Sequence, residues 1–266
     1  MKTSIDSYSI ILTKVQFFTR QLNIKIEKHT GRPLSTRPEQ VIAMSLFKQK
    51  HSIATKKSIY DIFKPKCSYK TLVVRMNKYA QVALRILQAI LLYNQRNAHL
   101  VKHTDSTDIP VCLNKNAKHH KTMKTLSSWG HSGKGFYFGI KLSITTDLKK
   151  QLLAVRFATG RSDDRKTFYE MNHRLDGIFV ADAGYISKDL EKKFYQEYKR
   201  ILFAKPKANM RVLATDWQTE LYNTRFMIEY NFRSLKLFHG LVTSLPRSVG
   251  GYCANYSYSL LAYVLG

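Results

Sequence analysis

Four residues near the C-terminus carry side chains suited to phosphate chemistry: Tyr222, Arg225, Glu229 and Lys236. Because each residue of an α-helix turns the chain by about 100°, a single helix would bring these four within an arc of roughly 60°. The pattern predicts a helix over residues 223–240 that presents one carboxylate between cations and a phenol, with its apolar residues on the opposite side. Such a face is also typical of an ordinary solvated helix with ion pairs.

Two upstream carboxylates favour a catalytic interpretation. Asp105 and Asp182 each follow a short apolar, β-like run, at residues 100–104 and 177–181. Side chains at the carboxyl ends of strands converge on the crevice where open α/β sheets bind ligands. Two carboxylates about 4 Å apart repel by about 4 kcal/mol at an effective dielectric near 20, and divalent cations convert that repulsion into binding.

Glu229 would supply a third carboxylate to the same site. With two Mg²⁺ ions, such a set activates an attacking oxygen and stabilises the leaving one in a phosphoryl displacement. Arg225 and Lys236 would hold phosphates or neutralise the carboxylate. The other acidic residues are interpreted as turn, cap or solvated residues, and Asp164 is the best candidate among them to approach the site.

The order of elements predicts the fold class. A strand ending at Asp105 is followed by a hairpin, a helix that Asp163 or Asp164 caps, a strand ending at Asp182, a helix, a strand and the Glu229 helix. The hairpin strands cover residues 136–145 and 152–159, and the last strand covers 201–204. This α/β order predicts a mixed sheet flanked by helices and is that of the ribonuclease H-like fold.

The first part of the chain predicts an all-α domain. After a helix at residues 7–26 and a linker at 29–38, Pro38 begins a helix, residues 56–63 form a short one, and Ser68 caps a third. This layout resembles a helix-turn-helix unit in which Lys70 and Arg75 face DNA, although an ordinary helical packing domain has the same pattern. The predicted domains are residues 1–96 and 97–266.

Charge indicates the kind of partner. The chain has 44 Lys and Arg against 18 Asp and Glu, a net charge of +26. This excess favours a polyanion; a ribosomal-type or membrane-surface protein is the alternative. No signal peptide or membrane-spanning run is predicted, and three widely separated cysteines favour reduced thiols in a cytoplasmic protein.

A basic segment lies between the first two predicted strands. Residues 114–134 contain five lysines and no acid: Lys115, Lys118, Lys121, Lys124 and Lys134. A loop of this composition beside a phosphate-processing site predicts contact with a DNA backbone. A solvated loop is the alternative.

Four segments together resemble the DDE transposases of bacterial insertion sequences. They are HTDSTDIPVC, SWGHSGKGFYFGIKL, IFVADAGYIS and YNTRFMIEYNFRSLK. The last contains the Tyr-(2)-Arg-(3)-Glu-(6)-Lys signature of one branch of that family, and this chain matches all four positions and all three gaps. The resemblance covers about residues 100–265.

The resemblance implies a ribonuclease H-like catalytic domain with Asp105, Asp182 and Glu229 as its triad. It also implies Mg²⁺ or Mn²⁺ as cofactor, two ions in all, and cleavage at transposon ends followed by strand transfer of the 3′-hydroxyl. Tyr222, Arg225 and Lys236 would contact DNA near the site.

The implied partners are the terminal inverted repeats of the element, target DNA and a second copy of the chain or a larger assembly on paired ends. The implied location is the bacterial cytoplasm, in association with the nucleoid. The interval between Asp182 and Glu229 is too short for the insertion domain of some relatives, which argues against hairpin-based excision by such a domain.

Two other functions are compatible with the sequence. One is a structure-selective nuclease of the same fold, which would lack specific binding to an inverted repeat. The other is a non-catalytic DNA-binding protein derived from a mobile element, and the presence of all three carboxylates argues against it.

Overall fold

The structure is a computed structural model that describes residues 2–26, 35–204 and 215–266. Most of the predicted linker at 29–38 lies outside the described residues, as do residues 205–214. The chain divides into two compact units: residues 1–90 with 233–266, and residues 91–232. The first unit is discontinuous in sequence, because residues 233–266 group with the N-terminal helices.

The central unit, residues 91–232, contains a mixed sheet with flanking helices. Its strands are β1 (Val101–Pro110), β2 (Ser128–Ser132), β3 (Gly135–Asp147), β4 (Leu152–Thr159), β5 (Ile178–Ala181) and β6 (Ile201–Ala204). Its helices are α6 (Asp164–Met171), α7 (Lys188–Tyr198) and α8 (Asp216–Asn223). Helices α5 (Ala80–Arg96) and α9 (Phe226–Phe238) each contain a boundary between the units.

The sheet has six strands in the order β2-β3-β1-β5-β6, and β4 also pairs with β3. β3 is antiparallel to β1, β2 and β4, whereas β5 is parallel to both β1 and β6. β2 pairs with residues 135–139 of β3, and β4 pairs with residues 140–146. The predicted hairpin and the mixed α/β class are therefore confirmed, and β2 is an additional strand inside the basic segment.

Alternate residues of β5 place apolar groups on both faces of the sheet. Phe179 is fully buried and packs with Phe168 of α6 and Phe194 of α7 in one core cluster. Its neighbour Val180 is also fully buried, in a second cluster with Leu221 of α8. Because successive side chains of a strand point to opposite faces, both faces of the sheet carry helices.

The other unit is helical. It contains α1 (Lys2–Gln21), α2 (Pro38–Lys50), α3 (Lys56–Phe63), α4 (Tyr69–Lys78), most of α5, the end of α9, and α10 (Val249–Leu265). The predicted helix starts at Pro38 and Lys56 are confirmed, and the Ser68 side chain accepts a hydrogen bond from the Thr71 backbone as the predicted N-cap.

Polar contacts fix α10 within the helical unit. The buried Gln49 of α2 donates to the backbone and side-chain oxygens of Asn255, at 3.0 and 2.8 Å. The Tyr258 hydroxyl donates to the Met76 carbonyl of α4 at 2.9 Å. Among the residues that the structure describes, no helix has both the length and the apolar character needed to cross a membrane.

Position 139, where β3 pairs with the end of β1, has no room for a side chain. A Cβ added to Gly139 would lie 2.2 Å from the Ile109 carbonyl oxygen, whereas one added to Gly133 would meet nothing within 4 Å. We expect Gly139→Ala to lower the free energy of unfolding by about 1–3 kcal/mol, because backbone atoms must shift to make room. Gly133→Ala, the matched control, should stay within about 0.5 kcal/mol of the unsubstituted protein. Urea unfolding measures both, and equal stability of the two variants would contradict this packing.

Candidate active site

The parallel pairing of β1 and β5 brings two of the predicted carboxylates to the same level. His103 pairs with Val180, so continuing the register by two residues places Asp105 beside Asp182. Asp182 follows the last residue of β5, as predicted. Asp105 does not end its strand, because β1 runs on to Pro110 through antiparallel pairing with β3. The prediction that a strand ends at Asp105 is therefore wrong. The register of β1 and β5 nevertheless brings Asp105 and Asp182 next to each other.

The segment that carries the third carboxylate also differs from the prediction. Residues 223–240 do not form one helix: α8 ends at Asn223 and α9 begins at Phe226. Tyr222 thus belongs to α8, Arg225 lies in the turn, and Glu229 lies in the first turn of α9. The predicted common helical face for the four signature residues is wrong, since the turn redirects the chain between Tyr222 and Glu229.

Side-chain contacts of Thr224 hold this turn. Its hydroxyl donates to the Leu221 carbonyl at 2.7 Å and lies 2.7 Å from Nε2 of the buried His103. Burial and then the Arg225 charge lower the pKa of His103 to about 4, so its ring is neutral near neutral pH. The turn is consequently attached to β1 two residues before Asp105.

Arg225 contacts all three predicted carboxylates. One terminal nitrogen lies 2.8 Å from Oδ2 of Asp105 and 3.9 Å from Oδ2 of Asp182. The other donates to Oε1 of Glu229 at 3.0 Å. The Arg225 side chain is only 13% exposed, whereas the Glu229 side chain is 63% exposed. The structure therefore gathers Asp105, Asp182 and Glu229 around one largely buried cation.

A cavity of about 320 Å³ opens beside the two aspartates. Asp164, at the start of α6, also lines it, as the sequence had suggested. Asp164 accepts hydrogen bonds from the Ser106 hydroxyl at 2.9 Å and from the Lys141 ammonium at 3.0 Å. Lys141 was missed by the sequence analysis, and its signal is a lone cation within the apolar run of β3.

Burial controls the protonation of this cavity. Removal from water raises the pKa of Asp105 to about 6, even though Arg225 and the Ser106 backbone N–H lower it. Asp182 and Asp164 contribute further by repulsion. The buried Tyr185 hydroxyl, in the cavity wall, has its pKa raised for the same reason, first by burial and then by Asp105. A change of pH near 6 would therefore change the charge of Asp105.

The donor set fits a hard divalent cation in its chemistry. Carboxylate oxygens are the ligands that Mg²⁺ and Mn²⁺ prefer. Within the described ranges, no three His, Cys, Asp or Glu side chains come close enough together to hold a metal ion. Arg225 lies among the three carboxylates and offsets part of their charge.

The structure places the predicted DNA-contacting lysines on the surface. Lys115 and Lys118 lie in a short 3₁₀ helix, Asn114–His119, and Lys121, Lys124 and Lys134 are likewise exposed. Lys134 lies in the turn between β2 and β3, next to cavity-lining Gly133.

Three other predicted DNA contacts have different environments. Lys70 is exposed on α4, whereas Arg75 is only partly exposed and its Nη1 atom is enclosed without a hydrogen bond. Tyr222 is half-buried against the cluster of Val101 and Val180. Lys236 lies in the part of α9 that belongs to the helical unit.

The chain belongs to the DDE transposases, since residues 95–248, more than half of its length, match the family described as the transposase DDE domain. The matched range contains Asp105, Asp182 and Glu229. The terms DDE, transposition and mobile element therefore apply to this protein.

Two solved structures are similar to this chain, each at 10% identity. The Mos1 mariner paired-end complex with Mn covers 92% of this chain and 83% of its own, with a TM-score of 0.27. A pre-cleavage Mos1 transpososome covers 94% and 85%, with a TM-score of 0.23. Scores this low support no inference about the present chain. The chain matches none of the curated proteins.

The role of Arg225 leads to a test on the metal-free protein. Because its guanidinium lowers the pKa of Asp105, Arg225→Gln should raise that pKa above the value of about 6. NMR titration of the Asp105 carboxyl carbon measures the shift directly. Arg165→Gln is the control, since the exposed Arg165 side chain donates to the Gly184 carbonyl and to none of the three carboxylates. A pKa that stays the same or falls in Arg225→Gln would show that this ion pair does not set the protonation of the site.

Proposed function

We propose that this protein is an insertion-sequence transposase that cleaves DNA at the ends of its element and joins the freed 3′-hydroxyl to target DNA. The observation that carries the proposal is the convergence of Asp105, Asp182 and Glu229 on Arg225 within the matched DDE range. These three are the residues that we propose as catalytic.

We further propose that the central unit has the ribonuclease H-like fold. Three antiparallel strands, β4, β3 and β1, continue into the parallel strands β5 and β6, which supports this assignment. The parallel pairing of β1 with β5 supports a two-carboxylate site, because its register brings Asp105 and Asp182 to the same level. The helical unit is proposed to bind the element ends through a helix-turn-helix formed by α2, α3 and α4.

Asp105, Asp182 and Glu229 are proposed to hold two Mg²⁺ or Mn²⁺ ions. When bound, such ions polarise phosphoryl oxygens and lower the pKa of attacking water or hydroxyl. Arg225 already neutralises part of the carboxylate charge, so cations and the guanidinium compete for the same oxygens. If a cation displaced Arg225 from one carboxylate, the freed guanidinium nitrogen could donate to a phosphate oxygen, as guanidinium groups commonly do.

Lys141 and Ser106 would position the remaining carboxylate of the cavity. The ammonium of Lys141 lies 3.0 Å from both oxygens of Asp164, and that pair is only partly exposed. The positive charge of Lys141 offsets the charge of Asp164 and so limits its repulsion with Asp105. The Lys141–Asp164 pair therefore acts as a positioning group for the site.

The DNA path is proposed from charge. The exposed lysines of residues 114–134, with Tyr222, Arg225 and Lys236 of the signature, would contact the strand that is cut and joined. They are Lys115, Lys118, Lys121, Lys124 and Lys134. Lys70 and Arg75 of α4 would contact the element end. Phosphate contacts of this kind give binding that weakens steeply with salt.

The Tyr-Arg-Glu-Lys signature further supports a bacterial element of the branch that bears it, and action in the cytoplasm on nucleoid DNA. Joining paired ends requires two active sites, so we propose a homodimer or larger assembly on DNA.

The decisive assay is Mg²⁺-dependent joining of an oligonucleotide that carries the element end into plasmid DNA. We expect Asp182→Asn and Glu229→Gln to reduce joining by about two orders of magnitude or more, because each removes a carboxylate that would hold the divalent cations. Glu220→Gln, on the exposed side of α8, is the matched control and should join normally.

Two results would contradict the proposal. Normal joining by Asp182→Asn and Glu229→Gln would mean that the carboxylates are misassigned. Binding of DNA without joining by the unsubstituted protein would favour a non-catalytic role, and cleavage of branched DNA without preference for the element end would favour a nuclease.

A further inference from the structure

The helical unit contains a second cavity, unrelated to the carboxylates. It has a volume of about 650 Å³ and is lined by α2, α3, α4 and residues 243–255. Among the described residues, four cationic side chains line it, Lys48, Lys56, Lys57 and Arg247, and no Asp or Glu does. We propose that this cavity binds a nucleoside phosphate, with the phosphate on the lysines and the base against the apolar wall.

Two of the lysines are half-buried and have no acidic partner among the residues that the structure describes. The Lys48 ammonium lies 3.3 Å from the Gln49 side-chain oxygen, and the Lys56 ammonium donates to the Asn77 side chain at 2.6 Å. These partners are neutral amides. An unpaired charge away from water is unfavourable, and an anion supplied by a ligand removes that cost.

The two lysines also act on each other. Burial lowers the pKa of Lys48 to about 8. Burial and then the charge of Lys48 lower the pKa of Lys56 to about 8 as well. Both ammonium groups are still largely protonated at pH 7, so the cavity presents two mutually repelling cations. An anion between them would relieve that repulsion.

The third lysine differs from this pair and serves as an internal contrast. Lys57 donates to Asp61 at 2.7 Å, and both side chains are more than half exposed. Its charge is therefore already compensated on the surface. The anion-binding role falls on Lys48 and Lys56, with the exposed Arg247 at the rim of the cavity.

The rest of the lining selects the kind of anion. The volume is in the range of small-molecule sites and far exceeds that of an inorganic phosphate. The Tyr69 ring and the side chains of Val73, Leu245 and Pro246 supply an apolar wall. An aromatic side chain near a phosphate-binding group is the arrangement that stacks a nucleotide base. A nucleoside phosphate combines the charge and the flat apolar surface that this cavity accommodates.

The nucleotide has two possible sources, a free nucleotide or a nucleotide within a DNA strand. The inference does not rest on the proposed transposase reaction, because no residue of the carboxylate site lines this cavity. Its test is therefore a binding measurement without Mg²⁺, which leaves the joining reaction untested.

Calorimetric titration of the full chain with thymidine 5′-monophosphate tests the proposal. We expect Lys48→Met and Lys56→Met each to weaken binding about tenfold or more, since a charge-assisted hydrogen bond is lost. Lys50→Met is the matched control: it removes the same charge from the same helix, and Lys50 contacts the Gly266 carbonyl outside the cavity. Lys56→Arg should retain binding because it retains the charge.

A second comparison tests the base-binding wall. Tyr69→Ala should weaken binding of thymidine 5′-monophosphate but not of inorganic phosphate. Equal weakening in Lys48→Met, Lys56→Met and Lys50→Met would overturn the proposal, since only net charge would then matter. Undiminished binding in the first two, or inorganic phosphate binding as tightly as the nucleotide, would also overturn it.

Competition distinguishes the two sources. A short single-stranded oligonucleotide that displaces thymidine 5′-monophosphate, and whose affinity falls in Lys56→Met, identifies the occupant as part of a DNA strand. An oligonucleotide that leaves the bound mononucleotide in place identifies a free nucleotide as the occupant. Circular dichroism and urea unfolding of each variant verify the fold; removing an unpaired charge should leave the fold intact.

Discussion

The central constraint in this protein is the shared guanidinium of Arg225. Three carboxylates from β1, the end of β5 and α9 meet one cation, with contacts of 2.8, 3.9 and 3.0 Å. Without that cation, Asp105 and Asp182 would repel each other in a partly buried site, and no ion pair would hold Glu229 close to them. The parallel register of the sheet, the turn at Thr224 and the position of α9 all serve to bring these four side chains together.

This arrangement also explains why the site is sensitive to its charge balance. Asp105 is buried enough that its pKa rises to about 6 despite the adjacent Arg225. The protonation of Asp105 therefore depends on each neighbouring charge. The Lys141–Asp164 ion pair lies among these neighbours, in the cavity wall. A site that handles highly charged phosphates benefits from such partial compensation, because Arg225 and Lys141 already offset part of the carboxylate charge.

Much of this could be predicted from the sequence, where local pattern decides structure. A buried apolar run followed directly by Asp182 predicts both β5 and the carboxylate that follows it. Ser68, as an N-cap, predicts the start of α4. The extension of β1 beyond Asp105 depends on its pairing with β3, which local polarity does not reveal. The break between α8 and α9 depends on contacts of Thr224 with His103, and no Gly or Pro in the sequence marks it.

Composition misled the prediction in the basic segment and revealed little about the cavities. Five lysines suggested a loop, yet residues 128–132 form a strand because backbone pairing with β3 does not depend on the exposed side chains. The sequence does not reveal that Lys141 pairs with Asp164, or that Lys48 and Lys56 line the same cavity. Such pairs become visible only when distant elements are packed together, as in the lysine-lined cavity of the helical unit.

Manganese binding followed by electron paramagnetic resonance tests the central claim most directly. If Asp105, Asp182 and Glu229 form a divalent-cation site that Arg225 keeps balanced, the intact chain binds Mn²⁺ and Asp105→Asn weakens that binding about tenfold or more. Asp189→Asn, an exposed change at the start of α7, should bind as the unsubstituted protein does. Equal Mn²⁺ binding by Asp105→Asn and the unsubstituted chain would mean that the cluster is a structural ion-pair network and not a metal site.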